Sequence, residues 1–190
     1  MTIDLNEASG QREFDLIPAD TIVTLAIKVR GGGAGPDGTL RRSKDGRSEG
    51  LDLELTVCDG PFIKRKLWTL LTLQGESEGH AEAGRIAATT LRAIIESARG
   101  VRPDDQNEAA KQQRRLKSYL ELDGMRFVAR VGLEPAKNGY DAKNKLASVV
   151  TPDMQAWRAP NQSTAPAPTT MPPQPPSGGG GVIPRPQWSR

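Results

Sequence analysis

The stretch Leu51–Leu73, LDLELTVCDGPFIKRKLWTLLTL, decides the fold. It begins with strict alternation: Leu51, Leu53, Leu55 and Val57 on one side, Asp52, Glu54 and Thr56 on the other. A period of two is what a half-buried strand requires, because successive side chains point to opposite faces. Asp59-Gly60-Pro61 then interrupts the pattern with turn residues. From Lys66 to Leu73 the alternation resumes, with Leu67, Thr69, Leu71 and Leu73 opposed to Lys66, Trp68, Leu70 and Thr72. Two such runs joined by a turn read as an antiparallel hairpin with a longer connection.

Upstream, Thr21–Arg30 has the same period: Val23, Leu25, Ile27 and Val29 against Thr24, Ala26, Lys28 and Arg30. That predicts a strand before the hairpin. Between them, Gly31–Gly50 combines Gly31-Gly32-Gly33, Pro36, Gly38 and Gly46 with Arg41, Arg42, Lys44 and Arg47. This composition predicts a long, flexible, basic loop. Downstream, Ile86, Ala87, Leu91, Ile94, Ile95 and Ala98 recur at helical spacing, so Ala81–Ala98 is the main helix. Gly100 is a suitable stop. Pro103-Asp104-Asp105 opens a second, polar helix running to Lys117. Met125–Leu133 is a fourth strand and Lys145–Val150 a short fifth.

The order is three strands, a helical segment, then two strands, which gives a mainly β (α+β) fold. It fits a five-stranded Greek-key barrel of the oligonucleotide-binding type, with the main helix between strands three and four. Other small α+β folds share the order. The expected organisation is a flexible N-terminus over 1–13, the barrel-like domain over 14–153, and a disordered Pro/Gly-rich tail over 154–190. The tail has too little apolar content to offset its ordering entropy. It closes on a short hydrophobic tip in which Val182, Ile183 and Trp188 are candidate partner-binding residues.

Composition narrows the function classes. The net charge of +3 is a mild basic bias, which weakly favours an anionic partner. A single cysteine, Cys58, excludes an intramolecular disulfide framework and a Cys-rich zinc site, and fits a reducing compartment. No apolar run approaches the ~18 residues of a membrane span, and Met1–Gly10 is too polar for a secretory signal. The expectation is a cytoplasmic protein with no membrane partner.

The catalytic inventory is thin. His80 is the only histidine and reads as an exposed residue near a helix start. Cys58, at a strand end, reads as a structural thiol. Glu76, Glu78, His80 and Glu82 invite a metal site, but acids are favoured at a helix N-terminus on electrostatic grounds alone. Gly31–Gly35 follows a strand without GxGxxG spacing and does not open a helix. No catalytic residue, metal or cofactor is expected.

The binding inventory is richer. Single-strand binding needs cations for phosphates and aromatic faces for bases. Lys28 and Arg30 share the polar face of the first strand, Lys66 and Trp68 that of the third, Arg126 and Arg130 that of the fourth. Arg41, Arg42, Lys44 and Arg47 supply the basic loop, Lys64 and Arg65 the hairpin tip, and Tyr140 lies among lysines. The competing reading is a set of ordinary solvated strand faces, which Asp52 and Glu54 favour.

Three patches carry a family resemblance. Phe14–Val29, FDLIPADTIVTLAIKV, is similar to the entry strand of a phage and prophage family known as domain of unknown function 669 (DUF669). Leu53–Leu73 resembles that family's hairpin, in which a Gly-Pro-aromatic turn leads into a basic residue, Leu and Trp or Phe. Asn138–Asp153, NGYDAKNKLASVVTPD, resembles its last strand. The family position after Ile-Pro is often glycine, whereas here Ala19-Asp20 follows. The resemblance implies a phage-derived, oligonucleotide-binding-like protein near DNA recombination and replication functions. The first expectation is therefore a nonenzymatic single-stranded DNA-binding or accessory protein. The second is an adaptor recruiting phage or host recombination and replication proteins through its tail. A metal-dependent enzyme using His80 is the third.

Overall fold

A computed structural model describes residues 15–137 and 139–160. The N-terminal segment and the Pro/Gly-rich tail, with its tip at Val182, Ile183 and Trp188, lie outside the described residues. The elements are β1 (Ile22–Val29), β2 (Leu40–Arg42), β3 (Ser48–Val57), β4 (Lys66–Gly75), α1 (Glu78–Arg99), α2 (Glu108–Gln113), a 3-10 turn at Tyr119–Leu122, β5 (Arg126–Glu134) and β6 (Lys143–Val149). All strands pair antiparallel in one six-stranded sheet, in the order β2-β3-β1-β5-β6, with β4 on the other edge of β3.

β3 is hydrogen-bonded along both edges. β4 follows one edge from Ser48 to Thr56. On the other edge β1 pairs with Leu53–Val57 and β2 with Glu49–Leu51, so β1 and β2 lie end to end. The alternation read from the sequence sorts the faces. Leu51, Leu53, Leu55 and Val57 are buried with Val23, Leu25, Ile27, Leu67, Phe127, Ala129 and Val131. Each fully buried Leu contributes about 1.5–3 kcal/mol relative to exposure.

The mainly β architecture with one main helix is as the sequence reads, but the closed five-stranded barrel is not what forms. The sheet is open: β4 and β6 come close without exchanging ladder hydrogen bonds among the described residues. The entry segment supplies the physical reason. Ile17 N–H donates to Asn144 Oδ1 at 2.9 Å, and Asn144 Nδ2 donates to Ile17 O at 2.8 Å. Arg65 donates to Asp15 O. Residues 15–17 thus join β6 to the start of β4 through side chains where a closed barrel would have a ladder.

The Gly31–Gly50 loop is also more ordered than expected. Once β1 ends at Val29, Glu49–Leu51 would be left with an unpaired edge, which β2 satisfies. Leu40 is buried in the core, and its backbone bridges to Ala34.

α1 begins at Glu78, three residues before the Ala81 start that the sequence predicts. Ser77 Oγ accepts from His80 N–H, and Ser77 N–H donates to His80 Nδ1, a reciprocal cap that builds the first turn. Gly100 ends the helix at φ 70°. Ala87, Leu91, Ile94 and Ile95 face the core. A Cβ on Gly84 would stand 2.6 Å from Leu73 O, so that glycine lets α1 lie against β4.

The second helix is much shorter than its polar run, because an ion network rather than an apolar face holds it. Glu96, buried on α1, accepts from Arg92 Nε at 2.8 Å and Arg114 Nε at 2.6 Å. Arg114 also donates to Asp105 O and Arg102 O. Beyond Asp153 the chain still packs: Trp157 Nε1 donates to Ser97 O at 3.1 Å. No helix among the described residues is long and apolar enough to cross a membrane.

Removing Glu96 would leave the largely buried Arg114 without its counter-charge. Glu96→Ala should therefore cost about 3–5 kcal/mol in urea unfolding. Glu82→Ala, which removes an exposed partner of Arg85, should cost under ~1 kcal/mol. Equal losses would mean that the 101–117 segment does not depend on Glu96.

Candidate nucleic-acid interface

The register across β1, β3 and β4 assembles the outer face in rows. Arg126, Ala26, Thr56 and Lys66 form one row. Lys28, Glu54 and Trp68 form the next. Arg30 N–H donates to Asp52 O, and Asp52 stands opposite Leu70, which makes a third. Direct cross-strand neighbours are about 4.5–5.5 Å apart. Residues far apart in sequence thereby become one surface.

Trp68 lies uncovered at its β4 edge, 56% exposed, beside Leu70 at 56%. Gly50 contributes to that arrangement: a Cβ there would stand 2.8 Å from Leu71 O and 3.2 Å from Leu70 Cδ1. Trp68 also walls an open groove of about 890 Å³ whose other lining residues include Phe62, Lys64, Arg65, Lys66 and Asn144. Three consecutive cations and two aromatic side chains thus line one concavity.

Several cations are already paired. Arg41 and Arg30 reach Asp52 at 2.9 and 3.7 Å, and Arg42 reaches Glu49 at 2.7 Å. Lys66 Nζ lies 2.7 Å from Glu54 and holds its carboxyl below the usual carboxylate range. Arg42 does the same to Glu49. Both acids therefore stay ionised at neutral pH and compete for the cations an anion would need. Lys28, Lys44, Arg47, Lys64 and Arg126 have no ion-pair partner among the described residues.

The structure brings together Lys28, Arg30, Lys66, Trp68 and Arg126 on the sheet, with Arg41 beside Asp52 and Lys64 and Arg65 at the groove. Lys44 lines a small hollow with Arg41, Arg42 and Leu70. Arg47 turns into a separate hollow with Gln74 and Glu76. Arg130 stands opposite Ile22, one row beyond Val128, and pairs with Asp20 at 3.6 Å. Tyr140 sits in the β5–β6 turn, 79% exposed, and does not line the Trp68 groove. Phe62 and Asn144 were not singled out by sequence reasoning. The Gly-Pro-aromatic turn signals Phe62, whereas nothing local signals Asn144.

His80 and Cys58 each have a local partner. His80 caps α1. Cys58 is half-buried, donates to Thr56 O at 3.5 Å, and has its thiol pushed up by burial. Among the described residues no group of three or more His, Cys, Asp and Glu is placed to hold a metal. A second hollow, of about 430 Å³, lies between α1 and residues 116–119, but its Arg92 and Arg114 are engaged by Glu96.

Burial of Cys58 disfavours its thiolate, the reactive form. Native protein should react with a disulfide reagent at pH 8 several-fold more slowly than protein unfolded in guanidinium, and the gap should narrow as pH rises through the raised value. Equal rates at pH 8 would contradict the burial effect.

No protein-family model matches this chain, and no curated protein matches it either.

Proposed function

We propose that the domain is a nonenzymatic single-stranded DNA-binding module, accessory to recombination or replication and phage-derived as the family resemblance implies. The observation that carries this reading is the groove in which exposed Trp68 stands beside Lys64 and Lys66. An indole face offers stacking to any base, and ammonium groups offer charge to the backbone, so recognition needs no sequence code.

The strand order supports a relationship to the oligonucleotide-binding fold. In that fold the barrel is partly open, and ligands lie on strands two and three and on the loops joining strands one to two and four to five. If β2 is an elaboration of the first of those loops, strands two and three are β3 and β4. These carry Glu54, Lys66 and Trp68. The two loops then hold Arg41, Arg42, Lys44 and Arg47 on one side and Lys137 and Tyr140 on the other.

The outer rows contain Lys28, Arg30, Lys66 and Arg126 against Asp52 and Glu54, an excess of cations that favours a polyanion. Binding would exchange carboxylate partners for phosphates rather than fill vacant cations.

Oligo-dT titrated into the full chain at two salt concentrations should quench Trp68 emission. The logarithm of affinity should fall with log salt by about 0.7 per phosphate neutralised. Trp68→Ala should cost about 1–3 kcal/mol of binding, with most recovered in Trp68→Phe. The quench should vanish in both variants, which separates Trp68 from the other tryptophans. Glu54→Gln, which removes the competitor for Lys66, should bind more tightly than wild type. Absence of binding to any single-stranded oligonucleotide at low salt would overturn the reading.

A further inference from the structure

Lys64 is one of two non-glycine residues among the described ones with a positive φ, 69°. Its N–H donates to Val57 O at 2.8 Å, and Val57 N–H donates to Arg65 O at 2.8 Å. Lys64 and Arg65 therefore stand together opposite Val57. This is a β-bulge whose first residue takes the left-handed conformation, a place ordinarily held by glycine. A lysine there is strained backbone, because its Cβ crowds the following carbonyl.

The bulge changes where side chains go. In an unbroken strand, consecutive residues alternate between faces. The extra residue resets that alternation, and Lys64, Arg65 and Lys66 all line the groove that Trp68 walls. Arg65 is occupied by Asp15 O, and Lys66 by Glu54. Lys64 alone of the three is an exposed cation with no ion-pair partner among the described residues.

We propose that the bulge builds a two-phosphate subsite, in which Lys64 and Lys66 hold successive phosphates beside the base stacked on Trp68. This rests on the single-strand reading above and specifies its ligand: an extended, unpaired backbone running along β4. Lys64 stands at the bulge and Lys66 opens β4, so the two ammonium groups line one groove at neighbouring positions, as successive phosphates of an extended strand would require. Strain held at a ligand-facing residue, where glycine would relieve it, is what a binding position looks like when stability alone did not choose it.

The test compares wild type, Lys64→Gly and Lys64→Gln as full chains, by oligo-dT titration across a salt series and by thermal melting. Glycine relieves the left-handed backbone, so Lys64→Gly should melt roughly 1–3 °C higher than wild type. It should also lose about 0.7 from the salt slope, one phosphate's worth for a single strand. Lys64→Gln removes the charge but keeps a polar side chain and its Cβ, and should show the same slope loss without the gain in melting temperature. A wild-type slope in both variants, with wild type binding normally, would overturn the subsite while leaving single-strand binding intact. A wild type that binds no oligo-dT would overturn both.

Discussion

Everything in this structure is registered to β3. Its N–H and C=O groups are paired on both edges, and four of its side chains are buried at the centre of the core. A strand so placed cannot slip: a shift of one residue would send Leu51, Leu53, Leu55 and Val57 to the outside and Asp52, Glu54 and Thr56 into the core. The same constraint fixes the outer surface. Because Lys28, Glu54 and Trp68 are register partners, burying the leucines also sets the indole two strands away from a lysine, with a carboxylate between them. Core packing and the candidate interface are two sides of one registration.

That coupling explains what the sequence makes legible. Strand faces could be read because period-two alternation is a local consequence of burial, and Leu51–Val57 displays it without interruption. The main helix could be read from its apolar spacing, although its first turn, built by Ser77 and His80, was not. Features made by distant partners were not visible. Leu40 looks like any loop leucine until β1 ends and leaves β3 an edge to pair. Asn144 looks like a polar strand residue until Ile17 comes within reach of its amide. A closed barrel was the natural inference from strand count, and a pair of side-chain hydrogen bonds to the entry segment stands where the closing ladder would be.

The interface was legible as an inventory of cations and not as a pattern of charge. Lys28, Arg30, Lys66, Trp68 and Arg126 reach one face as alternation requires. Their partners depend on register, however, and register is a tertiary property. Arg30 and Arg41 share Asp52, Lys66 takes Glu54, and Arg130 takes Asp20 on its own part of β5. An exposed pair such as Arg130 with Asp20 contributes little to stability, about 0–1 kcal/mol, whereas Asp52 is buried beneath its two guanidinium groups. The larger effect of these pairs is on binding, since each carboxylate is a competitor already in place. Net charge therefore says less about this surface than the number of cations left unpaired.

The two ionic clusters of the domain illustrate opposite uses of the same groups. Glu96 is buried, accepts from two guanidinium groups and ties the 101–117 segment to α1; its charges are committed and its removal strands a buried cation. Glu54 meets Lys66 with the Trp68 indole and Lys28 also beside it, and because Lys66 is half exposed, water screens the pair and either partner can be replaced by another ion. Burial is the difference, and burial follows from position: Glu96 sits on the helix face turned to the protein, Glu54 on the sheet face turned to solvent. A stable scaffold and an exchangeable surface can then coexist in one domain, because the charges that hold the fold are not the charges that would meet a ligand.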